Sequence, residues 1–534
     1  MKNKVYIAFF CCLWAYSTQS QPLLNERYRF NDETKAVFGS VVCTDSCYYI
    51  AGINGSAPFL SGRKGAFIKM GFDGTPIQYS SIENDTMGID MWLGYNMIPT
   101  LDNNFACMSL AFGENSENAY IFLKIAPNGD TLFTNYLYDF YEESGVIGVR
   151  SGTLIQDTDS TYYGVLGVYR ESDLEGGTLF YRLDKNGELI SYNVFYQLGH
   201  FERLIPKGLV KLSDSTLLIS STMSYSDLDD EDSEYFTKFI EVDTNGVFLS
   251  EHKLLEDTLA LDCNSLTKTA GDGYLYCGRS GKYLEDEEFL GFKLQVLKLN
   301  GEFDIEWSIK TDLKYSSGHN MGMYKILPLN ASEFVVIGNI FGKGNFSGYL
   351  MKFNISGERL WQRHYFKVPH YSGEINWARH ELYDVEQTPD GGFVMVGQAV
   401  NYHENPEPMG QMGWLVKTNP YGCIVPGCQF GDKPVDAEPK DTTIMNPPEP
   451  QEPKTWLYPN PASKSLFYYH HQDEFNFGTA YIYNSSGQLV QKWSITTNDI
   501  TYEIDVSGFA SGQYVLQVLD GDGVEVETER FVKI

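Results

Sequence analysis

The side chains able to do chemistry fall into three groups. Carboxylates crowd residues 227–234, with Asp227, Asp229, Asp230, Glu231, Asp232 and Glu234, and again at Glu285–Glu288. Such a stretch could hold calcium, a hard cation that takes several oxygen ligands. It lacks the alternating spacing and central glycine of a calcium loop, so a solvated acidic loop is the reading and no resident cofactor is expected. The second group is His370, Tyr371, Glu374, Trp377, His380 and His403. Imidazoles beside aromatics suit a metal or a sugar-like ligand, although no His-Glu-x-x-His pair is present. The third group is cysteine. Cys43 and Cys47 flank a three-residue turn, and Cys423 and Cys428 enclose residues 424–427, so both pairs are expected disulfides. Cys107, Cys263 and Cys277 read as buried thiols. A hairpin through 270–273 would set Cys277 opposite about Leu266, leaving Cys263 on the other face. No Gly-x-Ser-x-Gly elbow, Walker loop or Cys–His nucleophile occurs. Spacing singles out no catalytic carboxylate pair among 70 acidic residues.

These groups hang on a repeat. Residues 333–361 show one copy: two apolar strands, a turn at 354–357 and a third strand ending near Trp361. A turn glycine recurs as Gly74, Gly129, Gly187, Gly246, Gly301, Gly357 and Gly422. Five residues earlier stands a basic residue, Lys69, Lys124, Arg182, Lys352 or Lys417. Glu241 breaks this rule in the fourth copy, and in the fifth the turn reads as shorter, with Lys298 three before Gly301. A small residue closes the second strand each time: Gly52, Ser109, Gly167, Ser221, Gly278, Gly338 and Gly397. It lets backbones approach or the strand bend. Seven copies of four strands predict an all-β fold, a seven-bladed β-propeller over residues 21–430. The seventh copy is expected to hold strands at 382–387, 393–398 and 413–417 and a short one after Gly422. Residues 25–30 resemble the outer strand at 359–366 and are expected to pair with the last copy from the N-terminus. The second-to-third loops vary, as at 222–234, 280–288 and 399–412, which marks their face as the binding face. The histidine and tryptophan group falls on loops of that face.

Gly357 followed by Trp361 resembles the turn of quinoprotein-type propeller repeats. Trp307 lies six beyond Gly301 and the other copies lack the tryptophan, so a quinone is not expected. Sialidase-type boxes are absent.

The formal charge of −30 and the 43% hydrophobic content argue for folded β-rich domains and against nucleic acid as a partner. Residues 1–20 read as a secretory signal peptide: Lys2 and Lys4, an apolar run over 5–16, then Thr18 and Ser20 before a mature start at Gln21. Phe10 is too bulky to precede a lipidated cysteine. No later apolar run could span a membrane.

Residues 431–454 carry six prolines and almost no large apolar side chains, a semi-extended linker. Residues 455–534 then alternate as strands at 456–458, 465–469, 479–483, 489–493, 501–506, 512–518 and 524–534, a small Ig-like β-sandwich. Tyr458, Pro459, Asn460, Pro461 and Ala462 open it. Residues 480–487, ending in Gly487, follow, then Gly512 and Tyr514, and Phe531-Val-Lys-Ile534 at the end. This set resembles the type A C-terminal sorting domain of the type IX secretion system of Bacteroidota. The resemblance implies export across the outer membrane with that machinery as partner, removal of the tail, and surface attachment or release. Residues 422–428 also resemble a segment that closes propellers joined to such tails.

The expected function is therefore a secreted or cell-surface protein whose propeller binds an extracellular glycan or protein. The alternative is a secreted hydrolase or lyase with its site in the propeller's central mouth. A third reading is a scaffold with no concave polar site.

Overall fold

The structure is a computed structural model. It describes residues 21–30, 35–55, 63–83, 87–91, 97–113, 118–137, 146–170, 176–196, 203–226, 233–254, 260–271, 273–281, 292–311, 322–342, 345–367, 379–401 and 410–424, and in the tail 455–458, 461–470, 477–485, 487–496, 501–520 and 525–534. The chain forms two compact units, Met1–Val425 and Pro426–Ile534. Among the described residues every regular element is a strand.

Among the described residues the first unit holds seven antiparallel sheets, six of them running through their strands in chain order. Sheet 1 spans residues 35–82, sheet 2 87–136, sheet 3 146–196, sheet 4 203–254, sheet 5 260–310, sheet 6 322–365 and sheet 7 379–418. Sheet 7 takes its fourth strand from Leu24–Tyr28, which pairs antiparallel with 413–417, Leu24 opposite Lys417 and Tyr28 opposite Gly413. The N-terminal pairing expected from the sequence is thus present. The strand expected after Gly422 is not seen in 422–424, the residues described there. First strands of consecutive sheets touch all the way round, that of sheet 7 meeting that of sheet 1. Apolar clusters fill the gaps between sheets, such as Phe38, Ile50, Ile68, Val394 and Leu415 between sheets 7 and 1.

The two repeated small positions have distinct physical causes. At the end of the second strand, an added Cβ on Gly397 would lie 1.8 Å from the Glu381 carbonyl oxygen, and one on Gly52 2.1 Å from that of Val37. In both places the first strand carries a β-bulge, between Leu382 and Asp384 and between Phe38 and Ser40. The same bulge stands opposite Gly167, Ser221, Gly278 and Gly338. The extra residue pushes the first strand's backbone toward its neighbour, so only a small residue fits. In sheet 2 the first strand is split into Met87–Asp90 and Met97–Pro99, and Ser109 Oγ donates to the Asp90 carbonyl at 2.8 Å.

The turn glycines dock on the preceding sheet's outer strand. Trp307 lies against Gly357, Trp361 against Gly422, Asn193 against Gly246, Phe133 against Gly187, and Gln78 and Ser80 against Gly129. Leu24 and Tyr28 lie against Gly74, and Tyr28 Oη donates to the Gly74 carbonyl at 2.9 Å. Gly357 has φ of +83°. The fifth turn corrects the sequence reading. The left-handed residue there is Phe303 with φ of +68°, not Gly301. Asn300 N bonds to Asp304 O, as Asn354 N bonds to Glu358 O, so this turn is not shorter than the others. Lys298 then falls five before it, and Trp307 four after it, matching Lys352 and Trp361. A non-glycine residue in this region costs about 1 kcal/mol. Phe303 offsets that by stacking with Phe239, His252 and Tyr274 at centroid distances of 4.8, 4.6 and 5.2 Å.

The expected Cys43–Cys47 disulfide is not formed; both are free thiols. Cys43 pairs with Tyr48 across the hairpin, so Cys47 belongs to the turn, one residue short of register. The two also lie in different clusters, Cys47 between sheets 1 and 2 and Cys43 between sheets 7 and 1. Cys107 and Cys277 are free and buried as expected. A bulge between Cys263 and Ser265 places Cys277 opposite Ser265. Cys423 is disulfide-bonded, while Cys428 lies outside the described residues.

The second unit packs a three-stranded sheet, Thr455–Tyr458, Ser465–His470 and Thr501–Asp505, on a four-stranded one ordered Leu489–Thr496, Phe477–Asn484, Gly512–Asp520, Glu525–Lys533. Leu466, Tyr468 and Ile504 from the first sheet meet Ala480, Ile482, Leu516 and Phe531 from the second. All seven expected strands are present.

Candidate functional site

Most of the residues singled out by type lie elsewhere than a described site. His370, Tyr371, Glu374, Trp377 and His403, and the acidic stretches 227–232 and 285–288, are outside the described residues. His380 is a correction. It sits in strand Arg379–Gln387 rather than on a loop, 1% exposed. Its Nδ1 lies 3.0 Å from the Phe346 carbonyl, and its ring meets those of Phe366 and Trp414 at 5.7 and 5.5 Å. It is a packed core residue, placed there because alternation along the strand turns it between sheets.

The site emerges instead from one register position of the repeat. The residue just past the small one on the second strand faces a residue of the first strand, just ahead of the bulge. Going round the sheets the pairs are Val37–Ile53, Asp90–Leu110, Val149–Val168, Ile205–Thr222, Asp262–Arg279, Gly322–Asn339 and Glu381–Gln398. Sheets 1 and 3 are apolar here. Asp90 of sheet 2 is the exception, and Arg63 neutralises it. Sheets 5 to 7 are polar. Because first strands start on the face where second-to-third loops lie, these pairs form a floor beneath that face.

In sheets 6 and 7 the polar floor is continuously bonded. Glu381, 3% exposed, accepts at Oε1 from Arg379 Nη2 at 2.8 Å and Asn339 Nδ2 at 3.3 Å. At Oε2 it accepts from Tyr383 Oη at 2.6 Å and from Gln398 Nε2. Asn339 Oδ1 accepts from Gly322 N at 2.8 Å and Tyr324 Oη at 3.4 Å. Gln398 Oε1 accepts from Gln411 Nε2 at 2.5 Å. Tyr324 and Tyr383 are themselves the bulge residues of sheets 6 and 7, in edge contact at 5.5 Å. Burial, and then the Glu381 charge, push both phenols well above their usual range, so they remain hydrogen-bond donors. The Arg379 guanidinium lies 5.3 Å over the Phe346 ring, and its side chain is 29% exposed.

Beyond the bulge a second polar belt serves closure. Ser40 Oγ donates to Asp384 Oδ2 at 2.6 Å, and Val41 N donates to the same atom at 2.9 Å, joining sheets 1 and 7. Lys325 of sheet 6 reaches Asp384 at 2.7 Å and Glu386 at 2.8 Å. Burial opposes the Lys325 charge, but these two carboxylates outweigh it and raise its pKa. Ile326 N donates to Ser265 Oγ at 3.2 Å, linking sheets 5 and 6. Neither belt nor floor has a sequence motif of its own, so residue-type searches miss them. The signal was in the aligned copies, where one position changes character in one sector.

In the tail, Ala462 of the opening motif is fully buried and forms a parallel bridge with Lys533. Its N donates to Val532 O at 2.8 Å, and Ile534 N donates to its carbonyl at 3.0 Å. Tyr514 Oη donates to Ala510 O at 2.7 Å, and its ring stacks on Phe531 at 5.3 Å. Gly487 takes φ of +75° in its turn. Tyr458 ends a strand, Pro461 is exposed, Gly512 begins a strand, and Pro459 and Asn460 are outside the described residues. The motif thus brings the first and last strands of the tail together. Residues 456–533 match the secretion system C-terminal sorting domain family. They are a type IX sorting domain. That tail implies the type IX machinery as partner, and secretion followed by surface attachment or release. Among the described residues no helix is long and apolar enough to cross a membrane.

No curated protein matches the sequence. Three solved structures are similar at low identity. Drosophila Plexin A in complex with Semaphorin 1b is 8% identical over 75% of this chain and 88% of that one, with a TM-score of 0.42. Pyrococcus horikoshii acylaminoacyl peptidase is 11% identical over 84% and 60%, with a TM-score of 0.38. PorZ, a surface component of the type IX system of Porphyromonas gingivalis, is 9% identical over 93% and 86%, with a TM-score of 0.22. None is near enough to carry an activity to this chain.

Proposed function

We propose that the first unit is a seven-bladed β-propeller that binds an extracellular glycan or protein once the sorting domain has taken the chain through the type IX route. A signal peptide cleaved before Gln21 starts that route, and Cys428 is the partner of Cys423 in this reading. The observation that carries the binding reading is the change at one repeat-equivalent position, apolar at Val37–Ile53 and Val149–Val168 but polar at Gly322–Asn339 and Glu381–Gln398. Packing alone is served by the apolar pair, so the costly buried polar version needs another use.

Among the described residues of the floor, a hydrolase or lyase would work through the Tyr383–Glu381 pair. Each Glu381 oxygen already accepts two bonds, which suits holding and positioning better than passing a proton. Two experiments test the proposal. Deleting residues 455–534 should strand the protein in the periplasm; surface display of the truncated chain would defeat the export part. The mature protein should bind on a glycan array or in a surface-protein pull-down, and Glu381→Gln should weaken that binding. Two blank screens would defeat the binding part.

A further inference from the structure

The N-terminal segment does more than supply a strand to sheet 7. Gln21 N donates to Asp390 Oδ2 at 3.0 Å, in the first-to-second turn of sheet 7. The Gln21 side-chain carbonyl accepts from Tyr48 Oη of sheet 1 at 3.1 Å. Tyr28 Oη reaches sheet 1 as well, at the Gly74 carbonyl. Residues 21–28 therefore stitch sheet 7 to sheet 1 across the seam where the start of the chain meets its last copy.

The other copies act as controls. Three of them carry the same ion pair, between the basic residue ahead of the turn glycine and an acid in or beside the first-to-second turn. In Lys124–Asp102, Arg182–Asp159 and Lys352–Glu333 the acid side chain is 51%, 54% and 35% exposed. In Lys417–Asp390 it is 7% exposed, and Lys417 is fully buried. Asp390 also accepts from Thr388 Oγ1 at 2.6 Å and Gly392 N at 3.1 Å. Burial pushes its carboxyl up, but these bonds, with those from Lys417 and Gln21, outweigh that and hold it below the usual carboxylate range. An ionised carboxylate fixed in this way is a strong acceptor for Gln21 N.

Chain length makes this contact sensitive to processing. The apolar run of the leader ends at residue 16, and the five residue steps from there to Gln21 span about 18 Å at most. A leader still held in the membrane keeps Gln21 near the bilayer surface, where sheets 7 and 1 would have to close against lipid.

We propose, building on the signal-peptide reading above, that residues 21–28 form a latch that seats only once the leader is removed, with Gln21 held by Asp390 and Tyr48. Leader cleavage then sets the order of maturation: the sheets stack while the chain is tethered, and the ring closes last.

The test is hydrogen exchange at residues 24–28 of the full-length protein, with N-terminal sequencing of the same samples. Wild type is compared with Gln21→Ala, with Glu333→Gln, and with the uncleaved fraction of Ser20→Tyr in membrane vesicles, where a bulky residue at the cleavage position retains the leader. Exchange at 24–28 should rise at least tenfold in Gln21→Ala and in uncleaved Ser20→Tyr. It should keep the wild-type rate in Glu333→Gln, which breaks the counterpart ion pair of sheet 6. Wild-type rates in Gln21→Ala, protection of the uncleaved chain, or an equal rise in Glu333→Gln overturns the latch and leaves the leader reading standing. A mature wild-type chain that starts elsewhere than Gln21 overturns the leader reading and the latch with it.

Discussion

Sheets 1 and 3 and sheets 6 and 7 solve the same packing problem differently at one position. Val37 faces Ile53 and Val149 faces Val168, whereas Glu381 faces Gln398 and Gly322 faces Asn339. Everything around those pairs is shared: the bulge, the small residue opposite it, the turn docked on the sheet before. A repeat protein therefore contains its own control. Where all copies agree, the residue holds the fold; where a sector departs from its copies toward buried polar groups, the residue is a candidate for the proposed binding.

Breaking the shared part should hurt both sectors alike. Gly397→Val and Gly52→Val each drive a side chain into a backbone carbonyl, at Glu381 and at Val37. Each should cost about 4 kcal/mol in chemical denaturation, the range of severe overpacking. A large difference between them would mean that the two sectors do not share a scaffold. The divergent position should separate stability from binding. Val168→Thr puts a hydroxyl into an apolar cluster and should cost about 1–3 kcal/mol without touching ligand affinity. Glu381→Gln should instead lower affinity several-fold, since Arg379 loses its charged support.

Smaller effects sharpen the picture of how sheets join. Trp307→Phe removes the indole bond to the Ile355 carbonyl, 3.1 Å, and should cost about 1 kcal/mol. The smallest effect is a pH dependence at Asp102. Burial pushes its carboxyl up, but hydrogen bonds from Lys124, Thr100 and Asn104 outweigh that and hold it at about 2. An unfolded aspartate titrates near about 3.9. The Asp102–Lys124 contribution is therefore present above about pH 4 and lost as pH falls through about 2. Asp102→Asn should flatten the wild-type stability curve across that window, and an unchanged curve would remove the pair from the account.

The periodic features were legible because backbone geometry imposes them on every copy. The turn glycines, the basic residues ahead of them, the small residue at the second strand's end and the N-terminal strand at 25–30 could all be read in order. The fifth turn is not legible from Gly301, because stacking with Phe239 and Tyr274 lets Phe303 take the left-handed conformation instead. The Cys43–Cys47 pairing failed for want of one residue of register. His380 was read on a loop because strand starts are not marked in sequence, and tertiary packing put it against Trp414.

By itself the sequence determined what depends on local order: an all-β chain of seven copies, an N-terminal strand able to join the last sheet, a proline-rich break and a tail carrying the sorting motif. The tertiary structure alone decided which side chains meet. Arg379, Glu381 and Tyr383 are near neighbours in one strand, but Asn339 is 42 residues from Glu381, in the sheet before. No spacing rule links them, because what brings them together is the stacking of one sheet on the next around a shared bulge.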